Sequence, residues 1–232
     1  MFKRIAQTAG FAGLLAAIVL TLLQSFWVTP LILQAETYEN SAPAAEVQAE
    51  HSHAATPAHS HDAEAWAPQD GWQRTLATGL SNLVVAVGFA LMLAGLFTLR
   101  APGQTWQGLL WGLGGFVTFS LAPSAGLPPE LPGSAAAELL LRQYWWLGTA
   151  VATAAGLGLL AFGRHWPLRS TGLVLLALPH LIGAPQPEVH ASLAPAALEQ
   201  EFILASLLTN ALFWAALGLA AAWFYSRNRH GV

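Results

Sequence analysis

Long apolar runs, separated by short polar or proline-rich stretches, organise the whole 232-residue chain. A hydrocarbon core about 30 Å thick is crossed by about 20 mostly apolar helical residues. Ile5–Val28, "IAQTAGFAGLLAAIVLTLLQSFWV", meets that requirement. The same pattern predicts spans at Leu76–Leu99, Trp106–Leu121, Trp145–Phe162 and Phe202–Tyr225. Leu168–Ile182, "LRSTGLVLLALPHLI", is short for a crossing and reads as either a span or a re-entrant segment.

Charge decides between those readings. If Leu168–Ile182 crosses, Lys3, Arg4, Arg100, Arg164, Arg169, Arg227 and Arg229 share one side, with only Arg74 and Arg142 opposite. If it does not, the bias shrinks to five against four. The excess of cations marks the cytoplasmic side. The expectation is therefore an all-α polytopic transmembrane bundle of six spans, both termini cytoplasmic, in a bacterial inner membrane. Five spans is the alternative. All twelve acids then fall outside, which suits either a face depleted of cations or one that attracts them.

Composition agrees with this class. Hydrophobic residues make up 55% of the chain and charged ones 9%, against about 25% charged in soluble proteins. Ten tryptophans fit rings placed at headgroup level. The first apolar run exceeds a signal-peptide core and lacks a small-x-small cleavage site, so it reads as an uncleaved anchor. No extramembrane stretch is long enough for a sizeable soluble core, so residues 1–232 read as one integral-membrane domain, with 29–74 as an extracytoplasmic loop. The absence of cysteine excludes disulfides, thiolate metal sites and a cysteine nucleophile. Two methionines leave little capacity for Cu(I). Phosphate-binding loops, dinucleotide fingerprints and hydrolase or zinc-protease motifs are absent, so the chain has no ATP-driven step of its own and is not read as an enzyme. A divalent cation entering a negative interior gains about 4.6 kcal/mol at 100 mV, enough to drive uptake without ATP.

The outer loop carries the most distinctive chemistry. "HSHAATPAHSHDAEAW" places His51, His53, His59 and His61 beside Asp62 and Glu64. Its surroundings, rich in alanine, proline, serine and acids, predict a segment without order of its own. Imidazole with carboxylate suits Co²⁺, Ni²⁺, Zn²⁺ or Cu²⁺, whereas a solvated low-complexity stretch or a pH-responsive segment is the plainer reading. Metal capture there should weaken as pH falls through about 6.5, since a ligating imidazole is deprotonated.

Further along, "WAPQDGWQR" has the marks of an interfacial anchor, with Asp70 either paired to Arg74 or placed as a ligand. "APSAGLPPELPGS" surrounds Glu130 with prolines that stiffen it, as a tight connection or as the rim of a pore. Glu138 and Arg142 stand at i,i+4 spacing and predict a helical ion pair. Pro179 breaks the short fifth segment just before His180, either an ion site at a broken helix or a histidine bonded to a neighbour. Asn82 and Asn210 read as hydrogen-bonding glue between helices. Gly108 and Gly112, and Gly148, Ala152 and Gly156, read as stripes for close packing.

Taken in order, "WVTPLILQAETYE", the histidine loop, "WAPQDGWQR", "GFALML", "LAPSAGLPPELPG", "LRQYWW" and "LPHLIGAP" resemble the CbtA family of cobalt transporter subunits nearly end to end. The resemblance implies cobalt uptake linked to cobalamin biosynthesis, about five spans, and a small single-span partner of the CbtB type. It also implies metal-handling roles for Glu36, the histidine loop, Asp70, Glu130 and the Pro179–His180 pair. The expected function is thus a permease subunit for Co²⁺ or a similar ion, with capture at the histidine loop, relay through Asp70 and Glu130, and an intramembrane site near His180. No tightly bound cofactor is expected. A non-transporting metal receptor or scaffold is the rival, and a membrane metalloenzyme the weaker third reading.

Overall fold

The structure, a computed structural model, describes residues 1–41 and 68–227. Among these the fold is all-α, built from six helices: α1 (Phe2–Ser41), α2 (Trp72–Leu99), α3 (107–124), α4 (Leu139–Phe162), α5 (Trp166–Ile182) and α6 (Ala196–Arg227). Four of them, α1, α2, α4 and α6, are long and apolar enough to cross a membrane. The chain is a multi-pass membrane protein.

Two of the helices widen into a π turn, α1 at Gln24–Val28 and α3 at Val117–Leu121. Each widening precedes a proline, Pro30 or Pro123. A proline ring inside an α-helix presses on the carbonyl four residues back. Those carbonyls belong to Phe26 and Phe119, and both lie within the π turns. The looser turn keeps each helix continuous past its proline. The apolar pattern had placed the end of the first helix at Val28. It runs on to Ser41 because Leu31 and Ala35 remain buried against the start of α6 and Leu131. Part of the expected outer loop is therefore helical. Likewise α4 begins at Leu139 and α6 at Ala196, several residues before their apolar runs.

Helices α1, α2, α3 and α6 form the core. Helix α1 packs on α2 and α6, and α3 packs on α6. Small residues on α1 (Ala9, Ala12, Ala16) and α2 (Ala86, Ala90) let the backbones approach, and Phe97, Phe213, Trp214 and Leu217 fill the space between. The expected glycine stripe on α3 lies where α3 crosses α6: a Cβ at Gly108 would collide with the Gly218 carbonyl, and one at Gly112 with that of Trp214. With no hydrophobic drive between helices in lipid, such close backbone contact is what holds them. Asn82, almost buried on α2, donates to Thr21 Oγ1 at 3.0 Å and Gln24 Oε1 at 2.7 Å on α1. Helices α4 and α5 make a hairpin through Gly156 and Gly172, where a Cβ on either would stand 2.8 Å from the other's carbonyl. Of the predicted second stripe, Gly156 is in this contact and Gly148 faces open space.

The two ends of the bundle differ. At one, Arg4 donates to the Tyr225 carbonyl at 2.6 Å and lies over the Tyr225 ring, so α1 begins where α6 ends. At the other, the connections 125–138 and 183–195 form a cap. Ala135 N–H donates to the Ala191 carbonyl at 2.8 Å and Ser134 bridges Ser192. Gly133, at φ +78°, makes the turn that allows this pairing, and Leu131 and Ala194 anchor it in a small apolar core with Leu198 and Phe202.

Candidate cation site at the capped end

The carboxylates of interest converge on the capped end, in two separate arrangements. In the first, Arg74 in the first turn of α2 reaches Glu36 on the extension of α1. It makes both a close ion pair and a second bond at 3.2 Å, and holds Asp70 at 2.8 Å. Glu36 and Asp70 thus meet, but through a guanidinium placed between them. The arrangement ties two helices together and engages both carboxylates with the same guanidinium. Replacing Arg74 with alanine should lower the unfolding midpoint in detergent by about 2–4 °C, from about 1 kcal/mol of partly exposed ion pairing. Thermal denaturation followed by circular dichroism measures this.

In the second arrangement Glu130 is gripped by Arg142 at 2.6 Å. The expected Glu138–Arg142 pair does not form. Glu138 has extended backbone (φ −50°, ψ 129°) just before α4, so its side chain is off the helix face. Its carbonyl accepts the Arg142 backbone N–H, and the Arg142 guanidinium is left for Glu130. Prolines 128, 129 and 132 flank Glu130 and fix the path of its backbone.

Glu130 borders two cavities. The first, of about 520 Å³, opens between α3, α4 and α6. From its mouth at Glu130 and Arg142 it reaches Ser120, Ser206 and Asn210, a run of neutral oxygen and amide groups. Asn210 donates to the Ser206 carbonyl at 2.9 Å, while Ser120 stands 3.5 Å from its Oδ1. Ser120 lies in the π turn of α3. Widened turns are frequent where a helix contributes to a functional site. The second cavity, of about 440 Å³, lies under the cap on the other side of Glu130, and includes His190 and Glu199.

The other expected site residues fall elsewhere. His51, His53, His59, His61, Asp62 and Glu64 lie outside the described residues. His180 sits exposed in the last turn of α5, with its ring edge-on to Trp145 at 6.2 Å, and lines neither cavity. The Pro179 carbonyl beside it is engaged by Trp145 Nε1 at 3.3 Å and by the Gly183 N–H at 3.0 Å. Among the described residues no three His, Asp or Glu side chains stand close enough to coordinate one metal ion directly. Sequence reasoning passed over Ser120, Ser206, His190 and the placement of Glu199. The signal for His190 was present in "PQPEVHASLAP", another proline-rich stretch that combines an acid with a histidine.

The chain belongs to the CbtA family, described as "Probable cobalt transporter subunit (CbtA)", whose model matches residues 2–226. No curated protein and no solved structure matches it. The family places the chain among transporter subunits and not among enzymes.

Proposed function

We propose that this chain is the permease subunit that carries Co²⁺ into the cell, from the capped end of the bundle to the end where α1 begins and α6 finishes. The family supports the cargo. The position of Glu130 carries the route: one carboxylate borders both an outer cavity and a deeper one lined by Ser206 and Asn210, and its partner is a side-chain cation that an incoming cation can replace.

On this reading all six helices cross. The contact of Arg4 with Tyr225 puts the two ends of the chain together, which an even number of crossings requires. Helix α5, 17 residues, has a length of about 26 Å, close to the hydrocarbon thickness. The cation bias then sets the termini in the cytoplasm of an inner-membrane protein and the cap outside. The histidine segment His51–His61, with Asp62 and Glu64, captures metal from outside. Asp70 and Glu36 hold the base of that segment through Arg74. Glu130 receives the ion, and the membrane potential draws it inward past Asn210. His180, on the exposed face of α5, is available to a small single-span partner of the CbtB type.

Purified protein in liposomes should give an inward Co²⁺ flux that rises with an inside-negative potential, and Co²⁺ should outrun Ni²⁺ and Zn²⁺. Cobalt-57 uptake by cells expressing the chain, with and without the small partner, checks the same point. Binding of Co²⁺ with no flux under either condition would instead mark a receptor.

A further inference from the structure

The cavity beneath the cap has the chemistry of a separate site. Its wall carries two carboxylates and an imidazole from three parts of the chain: Glu130 from the proline-rich connection, His190 from the 183–195 connection, and Glu199 from the first turn of α6. Among the described residues neither His190 nor Glu199 enters an ion pair. Ser134 and Ser192, whose bridge joins the two connections, add hydroxyls to the same wall. Prolines in both connections stiffen it, and Leu131 and Ala194 root it in the apolar core of the cap.

These groups are too widely spaced to ligate one bare ion. A hydrated ion is a different object. Six waters occupy about 180 Å³ at about 30 Å³ each, so a hexahydrated cation fits within a cavity of about 440 Å³ with room for bridging waters. Water bound to a divalent metal is a strong donor. Carboxylates and neutral imidazole accept from it, and bridging waters are nearly as good as direct bonds. Glu199 offers an uncompensated negative charge, and Glu130 adds a second as it leaves Arg142, so a doubly charged ion is balanced without losing its hydration shell.

We propose that this cavity is a vestibule that binds a divalent cation as its intact hexahydrate, held through water by Glu130, His190 and Glu199. This rests on the uptake reading above and adds the form in which the ion first arrives. Glu130 then has two competing cations, the hydrated ion on the cap side and Arg142 on the other. Binding in the vestibule and release of Arg142 become one exchange.

Hexaamminecobalt(III) tests this, because it has the size and octahedral shape of a hexahydrate and does not exchange its ammines for protein ligands. Equilibrium dialysis with the full chain in detergent should show saturable binding. The dissociation constant should rise tenfold or more in Glu199→Gln and about threefold in His190→Ala. It should stay within twofold of the unaltered chain in Glu188→Gln, an exposed acid that does not line the cavity. Glu199→Asp should restore most of the affinity, which separates loss of charge from loss of fold. Absence of saturable binding, or equal binding by Glu199→Gln and the unaltered chain, would overturn the vestibule. Co²⁺ flux without hexaammine binding leaves the uptake reading intact and removes this one; hexaammine binding without Co²⁺ flux does the reverse.

Discussion

Glu130→Gln should cut Co²⁺ uptake at least tenfold while the protein still reaches the membrane in normal amount. The substitution keeps the shape of the side chain and one acceptor oxygen, and removes the charge. A divalent ion at the boundary between two cavities then loses the carboxylate that both share. Arg142 stays behind without its 2.6 Å partner, and an unbalanced guanidinium at the mouth of the deeper cavity repels the cargo. The loss should therefore exceed that from removing one ligand of several. The double change Glu130→Gln with Arg142→Gln makes the point measurable. It should recover part of the flux that the single change removes, because the repelling charge goes as well. Cobalt-57 uptake normalised to membrane protein distinguishes these variants, and uptake unchanged in Glu130→Gln would end the route proposed here.

The largest effect on folding is expected at Gly112. A valine there has to find room where even a Cβ would overlap the Trp214 carbonyl and stand 3.2 Å from Gly218 Cα. The obstacle is backbone on a buried helix, which cannot swing aside as a side chain can. Separating α3 from α6 would also open the stack of Trp214 on Phe119, whose rings lie nearly parallel at 5.7 Å. Overpacking of a tight core costs about 1–3 kcal/mol or more, and a helix crossing built on backbone contact falls at the upper end. Gly112→Val should leave little monodisperse protein in detergent. Gly114→Ala, two residues away, meets nothing within 4 Å and should behave as the unaltered chain does. Size-exclusion profiles of the two variants at equal expression decide it, and matching profiles would mean that α3 and α6 do not hold each other in this way.

The helical class, the apolar segments and the packing role of Gly108 and Gly112 were all legible in the sequence, because composition and spacing alone set them. Helix ends were less so. Hydropathy reports where a helix meets lipid, and the turns beyond that point, such as Leu31 to Ser41 or Ala196 to Glu201, are held by contacts in the cap that no local pattern encodes. The partner of Arg142 was misread for a related reason. The i,i+4 spacing presumes that both residues are inside the helix, and Glu138 is one residue outside it. Asp70 also lies outside its helix and still pairs with Arg74, because the turn before α2 is tied back by the Arg74 N–H to the Gln69 carbonyl, and Glu36, 38 residues upstream of Arg74, joins them through tertiary structure. The cavity beneath the cap was invisible for the same reason: Glu130, His190 and Glu199 are brought together by two connections that pair with each other.

The two widened turns carry a consequence for the length of the chain. Leu20 and Val28 are both buried, as are Gly115 and Pro123, and each pair is eight residues apart with a π turn between. In an unbroken α-helix eight residues leave such a pair about 80° out of line; with one residue absorbed by the wider turn the mismatch falls to about 20°. Each turn therefore stores a spare residue, matched to the proline that follows. A chain shortened by the one spare residue, with another residue in place of the proline, would keep the same faces inward, whereas shortening alone would drive the proline ring back onto the carbonyl of the preceding turn.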